Sequence, residues 1–364
     1  MRKIMLVFGT RPEAIKMCPL VRELQGREGI RAVVCVSGQH REMLDGVLAA
    51  FGVRADYDLF VMRPRQTLFD VTREVMRGIE EVISRERPDI LLVHGDTTTA
   101  FAAALAAFYT GVPVGHVEAG LRTGDILSPY PEEFNRQAIG ILAKYSFAPT
   151  ELARENLIRS GKSGVFLTGN TVIDALKSTV KEDFSHPALE WARGAKLVLL
   201  TAHRRETLGE AQRRIFRAIR RVVEEREDVK VIYPIHMNPA VRETANEVFS
   251  DCERVRLIEP LDALDFHNFL ARSYLVLTDS GGIQEEAPAL GIPVLVLREA
   301  TERPEGIAAG VSRLVGTDEE LIYREFLRLL DDEREYSAMA RSLSPYGDGF
   351  AAKRIADILQ TCDF

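Results

Sequence analysis

Short apolar, β-branched runs recur along this chain, each followed by an amphipathic stretch, and no other feature constrains the fold as much. KIMLVF (3–8), AVVCV (32–36), DILLVH (89–94), PVGHVE (113–118), YSFA (145–148) and VFLT (165–168) form a first series. A polar interval around 181–195 follows, and the rhythm restarts with KLVLLT (196–201), VKVIYP (229–234), VRLIE (255–259), YLVLT (274–278) and PVLVL (293–297). Alternating strands and helices of this kind predict a mostly parallel, doubly wound α/β sheet. With 364 residues the chain exceeds the size at which one core keeps growing, so two such domains, and a cleft between them, are expected. Residues 318–362 read as entirely helical, with Leu321, Phe326, Leu329 and Leu330 at helical spacing.

Bulk properties exclude several classes of function. Lys and Arg number 47 against 54 Asp and Glu, a formal charge of −7, and the basic residues are dispersed; no nucleic-acid stripe is present. Cys18, Cys35, Cys252 and Cys362 lie far apart without a CxxC pair, which speaks against a zinc ribbon, a disulfide framework and a redox motif and fits a reducing cytoplasm. The apolar run of MRKIMLVFGT ends too early for a signal-peptide core or a bilayer span, so a soluble protein without membrane partners is expected.

Ligands of open α/β sheets bind beyond the carboxyl ends of the strands. Six polar clusters fall at that place: GTRPEAIK (9–16), HGDTTTA (94–100), HVEAGLRTGD (116–125), TAHRRE (201–206), PIHMNP (234–239) and TDSGGIQEEAP (278–288). Any one could be an ordinary turn or helix cap; six together point to a site. Ser280-Gly281-Gly282 lets backbone approach a phosphate at a helix start, and Glu286 one turn later can accept from ribose hydroxyls. There is no Walker A, and the only GxGxxA-like stretch, GDGFAA (347–352), does not follow a strand. Arg11, Lys16, Arg204, Arg205 and Arg303 supply donors for a diphosphate. His94/Asp96 and His116/Glu118 repeat an H-x-acid pattern that could hold a metal or simply pack in the sheet. Asp96, Glu118 and Glu132 form a set of acids that can supply both a proton donor and a proton acceptor if they converge.

FGTRPEAIKMCPLV, GQHREML, VHGDTTTA, HVEAGLRTGD, SPYPEEFNRQ, TGNTVIDAL, TAHRRE, PIHMNP and LTDSGGIQEEAP, in this order and over nearly the whole chain, closely resemble the bacterial non-hydrolysing UDP-N-acetylglucosamine 2-epimerases. The resemblance implies a glycosyltransferase-B-like fold of two Rossmann-like doubly wound domains facing a cleft. Residues 1–172 would carry the acid/base groups, 173–344 would bind UDP, and 345–364 would form a helix crossing back to the first domain. It implies reversible interconversion of UDP-GlcNAc and UDP-ManNAc without NAD, metal or other cofactor, through a 2-acetamidoglucal, for surface-polysaccharide synthesis, in a cytoplasmic homodimer. Asp96, Glu118, Glu132 and His203 match its catalytic positions. Arg11, Lys16, Phe266, Ser280, Gly281, Gly282, Glu286 and Arg303 match its nucleotide-binding positions. Gln39, His40, Arg65, Arg204 and His236 match a second UDP-GlcNAc site that activates many members, although Glu42 stands where some have Gln. Glu133 has no part in that scheme and reads as a first-turn helix acid. A UDP-sugar glycosyltransferase, which needs an acceptor pocket, and a hydrolysing 2-epimerase, which releases free ManNAc, are the competing activities; a catalytically idle nucleotide-sugar sensor is the non-enzymatic one.

Overall fold

The structure, a computed structural model, describes residues 1–38, 41–63 and 65–364, without the side chains at 41–43 and 205. The chain divides into two compact units, Met1–Ser178 with Tyr346–Phe364, and Thr179–Pro345. Each is built on one parallel sheet with helices between successive strands, the doubly wound arrangement expected from the apolar runs.

In the first unit the strands are β1 (Arg2–Phe8), β2 (Ile30–Val36), β3 (Tyr57–Asp58), β4 (Ile90–His94), β5 (Val114–Val117), β6 (Tyr145–Ala148) and β7 (Val165–Leu167). Their order across the sheet is β3-β2-β1-β4-β5-β6-β7. In the second unit β8 (Lys196–Thr201), β9 (Val229–Pro234), β10 (Val255–Ile258), β11 (Leu275–Thr278), β12 (Val294–Val296) and β13 (Ser312–Leu314) are ordered β10-β9-β8-β11-β12-β13. The strand order reverses between β1 and β4 in one sheet and between β8 and β11 in the other, and ligand sites of such sheets lie at that reversal. Central strands are buried on both faces, which is why they read as continuous apolar runs: Ile4 to Phe8 and Ile90 to Val93 are fully covered. The strands β3 and β13 have no such run in the sequence, being two and three residues long at sheet edges.

The expectation of continuous helix over 318–362 needs correction. Helices Glu319–Asp331 and Glu333–Arg341 are followed by a non-helical link before the last helix, Ala351–Thr361. Pro345 cannot continue a helix, and Gly347 (φ 124°) and Gly349 (φ 77°) take left-handed conformations that glycine alone adopts cheaply. The last helix returns to the first unit. No side chain of its own caps its start, and the Asp174 carboxylate accepts instead from the amides of Ala351 (3.1 Å) and Ala352 (2.9 Å). Arg27 pairs with Asp357 at 2.6 Å on the same helix. No helix among the described residues is long and apolar enough to cross a membrane.

Candidate functional site

Helix Arg11–Gln25 opens the first unit's site. Thr10 caps it in a reciprocal box with Glu13, with Pro12 in the first turn, so the sequence GTRPE alone dictates the start. The Glu13 carboxylate is buried. It accepts from the amides of Gly9 (3.0 Å) and Thr10 (2.7 Å) and from the Thr97 hydroxyl (2.7 Å), tying the loop after β1 to the loop after β4. Burial raises its pKa against those hydrogen bonds. A Cβ at Gly9 would stand 1.9 Å from Ser37 Oγ and displace that buried hydroxyl from Thr99. One turn into the helix, Lys16 forms an ion pair with Glu118.

Glu118 directly follows β5 and has φ 60°, a left-handed conformation that costs a non-glycine residue about 1 kcal/mol or more. Its Oε2 also accepts from Asn170 Nδ2 at 2.9 Å and lies 3.8 Å from His94 Nε2. Gly95, between β4 and Asp96, takes φ 61°, a backbone conformation that glycine adopts without strain. Asp96 follows β4, and its pKa is raised by burial first, with Arg136 opposing and the charge of Glu118 adding. The two carboxylates are thus close enough to sense each other.

Arg136 belongs to helix Glu132–Leu142 and donates to Asp96 Oδ2 through Nε (3.0 Å) and Nη2, while its Nη1 reaches Glu133 Oε2 at 3.1 Å. Glu133 is fully buried and also accepts from Gln137 Nε2 (2.8 Å) and the Thr123 amide (3.2 Å). It is a first-turn acid, as its position suggested, yet its carboxylate is an internal brace. Asn135 of the same helix donates to the Asp96 carbonyl at 2.8 Å. Glu132 is the helix's first residue, partly exposed, one turn before Arg136. Arg11 is partly buried at the first helical position after Thr10.

Both strand histidines are neutral. Burial drives His94 to about 3 and His116 to about 4. His116 Nε2 donates to the Gly95 carbonyl at 2.7 Å, which leaves Nδ1 bare. Among the described residues, no group of three or more His, Cys, Asp or Glu could hold a metal ion.

The second unit's cluster is assembled where β8 and β11 run side by side, Thr201 opposite Thr278. His203 lies beyond β8, partly exposed, with its ring stacked on His236 at 5.1 Å between centroids and 7° between planes. Burial pulls its pKa below the ordinary value, Asp279 works upward, and His236 and Arg204 add to the lowering. Ser280-Gly281-Gly282 leads into the short helix Ile283–Ala289, whose cap, Gly282, has no side-chain hydrogen bond. A Cβ on Gly281 would lie 3.7 Å from Arg204 Nη2, so guanidinium and glycine turn share one place. Glu286 Oε2 stands 3.7 Å from His267 Nε2, and His267 Nδ1 is bonded to Thr179 Oγ1 at 2.7 Å. Phe266 packs half-buried on the helix that carries His267. Arg303 is paired with the buried Glu285. Arg65 has φ 62° on the first unit; Gln39 and His40 lie outside the described residues.

Of the residues expected from the sequence, the structure brings together Asp96, Glu118 and Lys16, and Arg204 with the glycine turn. Sequence reasoning did not single out Arg136, Asn170 or Asp279, and it read Glu133 only as a first-turn acid. The signal for Arg136 was present in SPYPEEFNRQ, where an acid and an arginine stand three apart on a helix.

The family model described as UDP-N-acetylglucosamine 2-epimerase matches residues 22–360. A Bacillus subtilis (strain 168) protein named UDP-N-acetylglucosamine 2-epimerase is 56% identical over 359 residues, covering 98% of this chain and 94% of its own. The crystal structure of the Neisseria meningitidis UDP-GlcNAc 2-epimerase bound to UDP-GlcNAc superposes with a TM-score of 0.88 at 44% identity, covering 99% of this chain and 100% of that one. The Methanocaldococcus jannaschii UDP-GlcNAc 2-epimerase in complex with UDP-GlcNAc and UDP superposes at a TM-score of 0.79 and 32% identity, with 99% and 100% covered.

Proposed function

The chain belongs to the UDP-N-acetylglucosamine 2-epimerase family, and from that premise we propose that it interconverts UDP-GlcNAc and UDP-ManNAc by eliminating and re-adding UDP. The observation that carries this reading is the pair of adjacent carboxylates, Asp96 held by Arg136 and Glu118 held by Lys16 and Asn170. Inverting a carbon needs groups that take a proton from one face and return one to the other.

In the proposed scheme a carboxylate of the Asp96, Glu118 and Glu132 set removes the proton from sugar C2. The C2–H electrons form the C1–C2 double bond as the C1–O bond breaks, and UDP leaves with that bond's electrons. UDP then re-adds at C1 while C2 is protonated on its opposite face. Electrons balance within the sugar and the nucleotide, so the cycle consumes no oxidant. Burial favours the protonated form of Asp96, which suits it to a donor role, whereas the ammonium beside Glu118 favours its carboxylate and a base role. Departing UDP carries negative charge, which His203, Arg204 and the Ser280-Gly281-Gly282 turn are suited to stabilise. Arg11, Phe266, Glu286 and Arg303 are assigned to the nucleotide, with Glu286 on the ribose.

The route supplies a precursor for surface polysaccharide in the cytoplasm. A homodimer is also proposed. Helices Leu68–Glu86, Thr98–Tyr109 and Glu132–Leu142 border an apolar groove of about 1030 Å³ lined by Leu68, Met76, Phe101 and Phe134. Phe69 and Tyr109 on it are 88% and 70% exposed, apolar side chains that a second copy would cover. Activation by UDP-GlcNAc is proposed through Arg65, Arg204 and His236 with Gln39 and His40. Full-rate turnover of UDP-ManNAc without any UDP-GlcNAc would rule it out.

The test is to incubate the purified chain with UDP-GlcNAc alone and separate the products. The scheme expects an equilibrium mixture with UDP-ManNAc. Free ManNAc and UDP would indicate hydrolysis, and turnover only with a sugar acceptor would indicate a transferase.

A further inference from the structure

Asp279 follows β11 directly and is fully buried. Its Oδ2 accepts from the His203 amide (2.7 Å), the Arg204 amide (2.8 Å) and the Thr207 hydroxyl (3.1 Å). Its Oδ1 accepts no hydrogen bond among the described residues and faces His203 Nδ1 at 3.7 Å. A buried carboxylate oxygen left without a donor is expensive, and such groups are rare in folded proteins. His203 Nδ1 is the nearby ring nitrogen that would supply that donor, and the ring is stacked on His236 with the planes 7° apart.

We propose that Asp279 is the positioning residue for His203: Oδ2 fixes the backbone of the loop after β8, and Oδ1 holds the imidazole as its Nδ1–H tautomer. Nε2 is then the nitrogen left for the diphosphate side of the substrate. The inference rests on the reading of His203 as a residue acting beside the leaving UDP. A ring whose Nδ1–H is anchored on a carboxylate presents a bare Nε2 when neutral and an Nε2–H donor when protonated. The protonated form is what a departing diphosphate favours, and an anchored ring meets it without searching for its orientation. The charged groups facing the ring are Asp279, His236 and Arg204. Asp279 is the one that favours imidazolium, opposing the lowering by burial. Sequence spacing hides the pair, because 76 positions separate the two residues in the chain.

The experiment is ring nitrogen NMR on the full-length, nitrogen-15-labelled protein, with His203 assigned through His203→Gln. The expected wild-type spectrum shows neutral His203 protonated at Nδ1. Asp279→Asn should move the proton to Nε2, because the new amide can donate to Nδ1, and should shift the titration of His203 to lower pH. The same variant should lose at least about tenfold in kcat with KM for UDP-GlcNAc within about twofold, the pattern of a group acting in the transition state. Wild-type His203 protonated at Nε2, or an Asp279→Asn spectrum and titration like wild type, would overturn the proposal; the wild-type spectrum decides even if the variant does not fold. An Nδ1–H tautomer in a protein that does not epimerise UDP-GlcNAc supports the pairing and defeats the functional reading alone.

Discussion

Arg136 donates to Asp96 Oδ2 from Nε at 3.0 Å, and its Nη1 is held at 3.1 Å by the fully buried Glu133. The guanidinium is fixed at both ends, so the Asp96 carboxylate is aimed by a residue that itself cannot wander.

Glu133→Gln removes the internal charge of that brace and leaves Arg136 with one carboxylate. The expected cost is about 1–3 kcal/mol of stability, together with a fall in kcat because Asp96 is no longer aimed. Urea unfolding and steady-state kinetics measure both. A variant with wild-type kcat would show that Asp96 keeps its place without the brace.

The acids themselves should be far more sensitive. Asp96→Asn, Glu118→Gln and Glu132→Gln should each reduce turnover by at least about a hundredfold, the usual size of a general acid or base contribution. Near-normal turnover in any one removes that residue from the proton-handling set. Glu118→Gln should also lower stability, since it removes the Lys16–Glu118 ion pair at a residue held in a left-handed backbone.

Acid should weaken the fold. His94, His116 and His267 are shifted down from 6.5 to about 3, about 4 and about 4 by burial. Their unfolded forms bind protons first as pH falls below about 6.5, so the stability present above that value is lost progressively down to the folded values. Glu13 and Asp96 act in the opposite sense, strengthening the fold as pH falls through their raised pKa values. Hydrogen bonds from Thr97, Gly9 and Thr10, and the charge of Arg136, restrain those two shifts, so the histidines should dominate. Urea midpoints should show the protein at least about 1 kcal/mol less stable at pH 5 than at pH 7. An equal or higher midpoint at pH 5 would contradict the burial assigned to the three rings.

Most of the architecture was legible because parallel strands buried on both faces must be apolar throughout, and runs such as KLVLLT and VKVIYP coincide with β8 and β9. Tyr57–Asp58 and Ser312–Leu314 were not, since two or three residues at a sheet edge leave no pattern. Acids placed just after strands, Asp96 and Glu118, stood out because the topology sends chemistry there. Their partners did not. Asn170 lies 52 positions from Glu118 and Arg136 lies 40 from Asp96, separations that the crossover of helices and strands closes and that no local spacing records. Glu133 shows the complementary limit: its place in a first helical turn was readable, its complete burial was not.

Proton exchange at sugar C2 should accompany loss and return of UDP, and incubation with UDP-GlcNAc in deuterated water, followed by proton NMR, reads it out. UDP-ManNAc should carry deuterium at C2, with deuterium entering recovered UDP-GlcNAc as the mixture equilibrates. Conversion with the original C2 proton fully retained would contradict that exchange.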